Sequence, residues 1–195
     1  AMMAVRLVEL DPGDGAAAAA ASGWLSRAGR PVDAVYYAQL AFERGHPVNV
    51  ATNLGTYDAL DEGSQVAITE TIRAIAAQWP EDDQAAIAAC LLARLEGDFQ
   101  RAESFIVPVL ERSPDDIRAV MLWTQLMLDQ GVDGPFDLLA TTVSRYPDNQ
   151  ELRLQYARLL GSEGNYPDAR AQFVALLERD PENAELLSTA ALLDF

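Results

Sequence analysis

Apolar residues along this chain recur every three or four positions in short blocks. Ile68, Ile72 and Ile75 form one block, Ala102, Phe105, Ile106 and Val109 another, and Ala169, Phe173 and Leu176 a third. Such spacing places each block on one face of an α-helix. The blocks are cut at regular intervals by Pro12, Pro47, Pro80, Pro114, Pro147 and Pro181, which stand 35, 33, 34, 33 and 34 residues apart. The residue before a proline is pushed out of the helical region, so each proline marks the end of a helix. A period of this length with helical sequence between the marks predicts an array of repeated helix pairs.

Taken in order, Met2 to Leu10 reads as the closing helix of a pair, and Pro12 to Gly15 as a turn. Ala16 to His46 holds an Ala-rich first helix, a turn at Gly29, Arg30 and Pro31, and a second helix carrying Ala34, Ala38 and Ala41. Val48 to Trp79 is weaker. It predicts a short first helix ending near Leu60, a turn over Asp61 to Ser64, and a second helix with the three isoleucines on one face. Glu81 to Ser113 turns at Gly97, Asp98 and Phe99, and Pro108 inside its second helix predicts a kink or an early frayed turn. Ile117 to Tyr146 turns at Gly131, with Gly134 and Pro135 opening the next helix, and Leu152 to Asp180 turns at Gly164 to Pro167. Ala184 to Phe195 reads as a first helix with no partner, leaving a stripe of Leu186, Leu187, Ala190 and Leu193 open to self-association.

The fold class expected is therefore all-α, a right-handed superhelical solenoid of antiparallel helix pairs running as a single solenoid over 1–195. It divides into a half repeat at 1–14, repeats at about 15–47, 48–80, 81–114, 115–147 and 148–181, and a half repeat at 182–195. A chain that opens on Ala1 and begins and ends inside a repeat reads as an excised fragment.

Charge narrows the partners. There are 30 Asp and Glu against 14 basic residues, all of them Arg, giving a net charge of -16. The acidity is distributed along the chain, a surface that repels phosphate backbones and anionic lipid headgroups. Nucleic acid and direct membrane-surface binding are disfavoured, and a basic or neutral protein is easier to accommodate. No run approaches the roughly 18 apolar residues that a membrane span needs. Absence of Lys beside abundant Ala and Gly reads as the mark of a GC-rich genome.

Candidate chemistry is sparse. His46 is the single histidine and Cys90 the single cysteine, so no site built on several His or Cys can form. Gly13 to Gly15 and Gly161 to Gly164 lack phosphate-loop spacing and the lysine such a loop requires, and calcium-loop spacing is absent too. Cys90 reads either as a small core residue or as a reactive thiol. Trp24, Trp79, Trp123, Tyr36, Tyr37 and Tyr57 read as inter-helix packing with one or two protruding. No catalytic, metal or cofactor site is assigned.

Gly97-Asp98-Phe99 with Ala102, and Gly164-Asn165-Tyr166 with Ala169, each followed twelve residues after the Ala by Pro114 or Pro181, resemble the tetratricopeptide repeat (TPR). The resemblance places Gly29, Gly97, Gly131 and Gly164 at that family's turn glycine and Ala34, Ala102 and Ala169 at its second-helix alanine. It places Cys90 and Ala157 at the small first-helix position. Ile68 and Phe136 depart from the pattern where the alanine should stand. In this family the first helices line an inner groove that binds protein segments. The groove positions carry over to Ala19, Gly23 and Arg27, to Leu54, Asp58 and Asp61, and to Gln84, Ile87, Leu91 and Arg94. They continue at Arg118, Met121, Gln125 and Leu128, and at Glu151, Leu154 and Arg158. Arg94, Arg118 and Arg158 would hold a carboxylate or the carbonyls of an extended peptide, or else pair with acids of neighbouring repeats.

The implied function is a non-catalytic scaffold or adaptor that binds a protein or peptide. Two alternatives are a self-assembling array and the regulatory arm of an enzyme lying outside these residues. The run from Glu151 to Phe195 also resembles the large TPR lipoproteins of Gram-negative bacteria, some of them adaptors for carboxyl-terminal processing proteases. That resemblance implies a processing protease as partner and the periplasm or outer membrane as location.

Overall fold

A computed structural model describes residues 2–114, 116–132, 136–183 and 186–188. Among the described residues there are α-helices and short 3-10 turns and no strand. The chain forms two compact units, Ala1–Leu126 and Met127–Phe195. The first contains α1 (Met2–Leu10), α2 (Gly15–Arg27), α3 (Pro31–Glu43), α4 (Glu62–Gln78), α5 (Asp83–Leu95), α6 (Phe99–Arg112) and most of α7 (Ile117–Asp129). The second contains α8 (Phe136–Arg145), α9 (Gln150–Ser162) and α10 (Tyr166–Leu177).

Each spaced proline is followed two residues later by Asp or Asn, and that side chain starts the next element. Asp14 accepts from the Ala17 N–H at 2.9 Å, Asp82 from Ala85 at 3.0 Å, Asp116 from Ala119 at 3.3 Å, and Asn149 from Leu152 at 2.9 Å. Asn183 accepts from Leu186 in the same way at 3.1 Å. A carboxylate or amide oxygen there satisfies one of the amide groups that a new helix leaves without a partner.

The ends of α2, α3, α5, α7 and α9 share one form. Gly29, Gly45, Gly97, Gly131 and Gly164 all have φ between +67° and +78°. At Gly97, which follows α5 and its C-cap Glu96, the glycine N–H donates to the Arg94 carbonyl at 3.0 Å, and the Asp98 N–H reaches the Ala93 carbonyl at 2.9 Å. Only glycine enters this left-handed region without strain. Asp98 then caps α6 through the Arg101 N–H at 3.1 Å. One three-residue stretch both ends α5 and begins α6, so the two helices fold back on each other.

The stretch after Pro47 departs from the expected pattern. In place of a short first helix it forms two 3-10 turns, Ala51–Leu54 and Tyr57–Ala59. Val48, Val50, Thr52 and Thr56 are β-branched, and Gly55 is a poor helix residue. Asn49 takes the Ala51 N–H at 3.1 Å while the Thr52 hydroxyl donates to the Asn49 carbonyl at 3.1 Å. These local bonds compete with a helical ladder. The expected turn at 61–64 is also displaced. Asp61 is already the N-cap of α4, accepting from the Ser64 N–H at 3.0 Å, and Glu62 to Ser64 are its first turn. Gly63, 34 residues before Gly97, is consequently helical.

Burial explains why this irregular repeat still folds. Val50 and Leu54 fill the place of the absent helix and pack with Val35, Phe42, Ile68, Ile72, Ile75, Ala85, Ala88 and Leu92. The three isoleucines are each at most 1% exposed. Trp79 adds a ring contact to Phe42, with centroids 5.3 Å apart. Truncating one of the isoleucines to Ala would cost about 2–5 kcal/mol. A second cluster of Val8, Ala17, Ala18, Ala21, Leu25, Ala34 and Ala41 joins α1, α2 and α3. Gly15 permits the approach at its edge. A Cβ there would lie 2.8 Å from Cβ of Arg44, with His46 closer still.

Pro108 does not fray α6, which runs unbroken to Arg112. Ile106 and Val109, both fully buried, hold the helix on either side of the proline, and their packing outweighs one missing hydrogen bond. In the second unit, Ala157, Phe173, Leu176 and Leu186 form one core cluster. Leu186 of the expected apolar stripe is therefore covered, while Leu187 is exposed. Gly134, Pro135, Ala190 and Leu193 lie outside the described residues.

Candidate functional site

The first-helix residues of the first unit supply one cleft and one polar bridge. Between α2 and the 3-10 stretch opens a cavity of about 270 Å³. Ala19, Gly23 and Arg27 line one side of it, and Val48, Asn49 and Thr52 the other. The α2 residues stand four apart and so share one face, and their small side chains leave the space. Arg27 lies over the ring of Trp24, 5.0 Å from its centroid. Trp24 is 53% exposed, which makes an apolar ring with a cation on its face available beside the cavity.

On α5, Gln84, Leu91 and Arg94 are half-buried. On α7, Arg118 is exposed, and Met121 and Gln125 are half-buried. Arg118 connects these helices by donating to the Gln84 side-chain oxygen at 2.6 Å. It also holds Asp116 through Nε at 3.3 Å and Nη2 at 2.8 Å. Burial pushes the Asp116 carboxyl up, but hydrogen bonds from the Arg118 side chain and the Ala119 amide, with the Arg118 charge, outweigh it and hold the group below its usual range. Arg118 thus pairs with an acid and reaches the neighbouring repeat at once.

Two of the sequence-assigned groove residues sit in the core. Ile87 is 4% and Leu54 3% exposed. Asp58 and Asp61 are exposed, and Asp61 is occupied as the α4 cap. In the second unit, Leu128 is half-buried, Leu154 packs against the Phe173 cluster, and Arg158 is exposed. Glu151 accepts from the Gln155 amide at 2.6 Å.

Cys90 is a core residue. It is fully buried, and desolvation pushes its thiol up to about 12 against a smaller opposing effect of Arg94. His46 is exposed, with Nδ1 3.0 Å from the Arg44 carbonyl. Trp24 and Tyr36 are the protruding aromatics among those named from sequence. Trp24 had one sequence signal, its position one residue beyond the small Gly23 on an otherwise Ala-rich helix.

Residues 136–193 match the family model of the tetratricopeptide repeat. No curated protein matches the chain. Among solved structures, it is similar to TTC0263, a thermophilic TPR protein in Thermus thermophilus, with a TM-score of 0.64 and 17% sequence identity. That likeness covers 92% of this chain and 98% of the other.

The chain has a TPR fold. The family match lies on residues 136–193, and the likeness to the solved structure extends the fold over most of the chain. The stretch after Pro47 departs from regular helix pairing by forming 3-10 turns. No helix among the described residues is long and apolar enough to cross a membrane.

Proposed function

We propose that this TPR-fold protein is a non-catalytic adaptor that binds a protein segment along its first-helix face. The observation that carries this reading is the cavity of about 270 Å³ on α2, lined by Ala19, Gly23 and Arg27, with exposed Trp24 beside it. An apolar ring, a cation and small side chains around an open cleft suit an extended peptide, whose side chains enter the cleft while its carbonyls meet Arg. Gln84, Leu91, Arg94, Arg118, Met121 and Gln125 continue the candidate face on α5 and α7. Leu154 and Arg158 are its counterparts in the second unit.

The test is capture of partners with the full-length protein from its own cells, followed by mass spectrometry, comparing wild type with Arg94→Ala/Arg118→Ala/Arg158→Ala and with Arg27→Ala/Trp24→Ala. Reduced capture of the same partner with unchanged helicity supports the face. Undiminished capture by both variants overturns it. A carboxyl-terminal processing protease, suggested by the resemblance of residues 151–195, is the first partner to assay directly.

A further inference from the structure

The second-helix side of the first unit carries a different hollow. Ala76 and Ala77 of α4 and Phe105 of α6 face each other across it, and Ala89, Leu92 and Ala93 of α5 form its floor, enclosing about 140 Å³. Alanines at four of these positions leave the volume, and its size suits one large apolar side chain rather than a cofactor.

Arg73 and Glu96 line this hollow and also its neighbour. Arg73 Nη2 donates to both Glu96 oxygens at 2.8 and 3.0 Å, so the pair forms a bar between the hollow and a second, more open cavity of about 280 Å³. That second cavity is lined by Glu62, Val66 and Glu70 of α4 together with Tyr57. Val66 is 49% exposed, and Glu62 and Glu70 stand one turn to either side of it on the same face. The charge of Glu96 is answered by Arg73, leaving the two other carboxylates to set the sign of the cavity. Arg101, which also lines the hollow, lies 5.9 Å from the Phe105 centroid. Cationic charge is therefore favoured beside Glu62 and Glu70.

We infer that this paired hollow is a second docking site, taking a partner-protein segment that inserts one apolar side chain between α4 and α6 and lays Lys or Arg against Glu62 and Glu70. The match is one of charge complementarity in a protein of net charge -16. Carboxylates at the rim give direction and speed of encounter, while the apolar side chain gives most of the affinity. The site lies on different helix faces from the α2 cleft and is independent of it.

The probes are two peptides, acetyl-Gly-Phe-Lys-Lys-Gly-amide and acetyl-Gly-Phe-Glu-Glu-Gly-amide, with a Gly-for-Phe control of the first. Each is titrated into the ¹⁵N-labelled full chain and followed by amide shifts. The Phe-Lys-Lys peptide should move amides around Ala77, Ala93 and Phe105, and bind about tenfold more tightly than its Gly control. Glu62→Gln/Glu70→Gln should weaken it about threefold and flatten its salt dependence. Ala77→Trp, which fills the hollow from an exposed position, should abolish the shifts. Equal binding of the Lys and Glu peptides, or shifts confined to α2 and the first-helix face, overturns the inference. The Glu62→Gln/Glu70→Gln variant alters exposed groups only and decides the question even where Ala77→Trp lowers helicity.

Discussion

Arg118 Nη1 donates to the Gln84 side-chain oxygen at 2.6 Å, joining positions 34 residues apart on α7 and α5. One period of the sequence is thereby closed by a single hydrogen bond between equivalent helix starts. Its neighbour Asp116 takes two further bonds from the same guanidinium, and the planar fork is what allows all three at once.

Arg118→Ala should lower stability to urea by about 1 kcal/mol or less, because the group is well exposed and its ion pair is screened. Arg118→Lys should recover only part of that, since an ammonium cannot reproduce the fork. A loss above about 3 kcal/mol, the size associated with breaking a buried pair, would contradict the exposed geometry.

Acid should weaken the same junction. The folded Asp116 carboxyl lies below its ordinary value, so the stability it contributes is fully present above the unfolded pKa of about 3.9. That stability is lost as pH falls through the lower folded value. Urea midpoints measured from pH 6 down to pH 2 should fall more steeply for wild type than for Asp116→Asn in the interval below about pH 4. Parallel curves would refute the assignment.

Caps provide a sharper local test. Asp82 accepts from both the Gln84 and Ala85 amides at the start of a full helix, whereas Asn49 accepts from Ala51 alone and opens a 3-10 turn. Asp82→Ala should cost about 1 kcal/mol and Asn49→Ala less, read from thermal melts of the two variants side by side.

The period of the fold was legible because proline and glycine act locally. Gly97 ends α5 by entering the left-handed region, and Pro114 pushes Ser113 out of the helical region at the end of α6. The Asp or Asn two residues after each proline was an equally local signal, and it marks the starts of α2, α5, α7 and α9. What could not be read was set by competition or by distance. After Pro47, Asn49 and Thr52 bond to nearby backbone and no helix follows, although the proline spacing is almost unchanged. Ile87 and Leu54 occupy groove positions by count, yet packing between helices puts both in the core. The hollow between α4 and α6 depends on residues from Arg73 to Phe105 meeting across three helices, and no spacing in the sequence announces it.

Cys90 should be chemically silent. A fully buried thiol pushed up to about 12 carries almost no thiolate at pH 8. Ellman's reagent should leave the native protein unmodified for hours and react at once in 6 M guanidinium. Rapid native labelling would place Cys90 at an accessible surface and restore the reactive-thiol reading.

The first-helix face is tested most directly by hydrogen–deuterium exchange of the full-length protein with and without a captured partner. Added protection on Gly15–Arg27 and Asp83–Leu95, at the faces carrying Gly23, Arg27, Gln84 and Arg94, is the result expected. Exchange that is unchanged on both helices while the partner is demonstrably bound would contradict it.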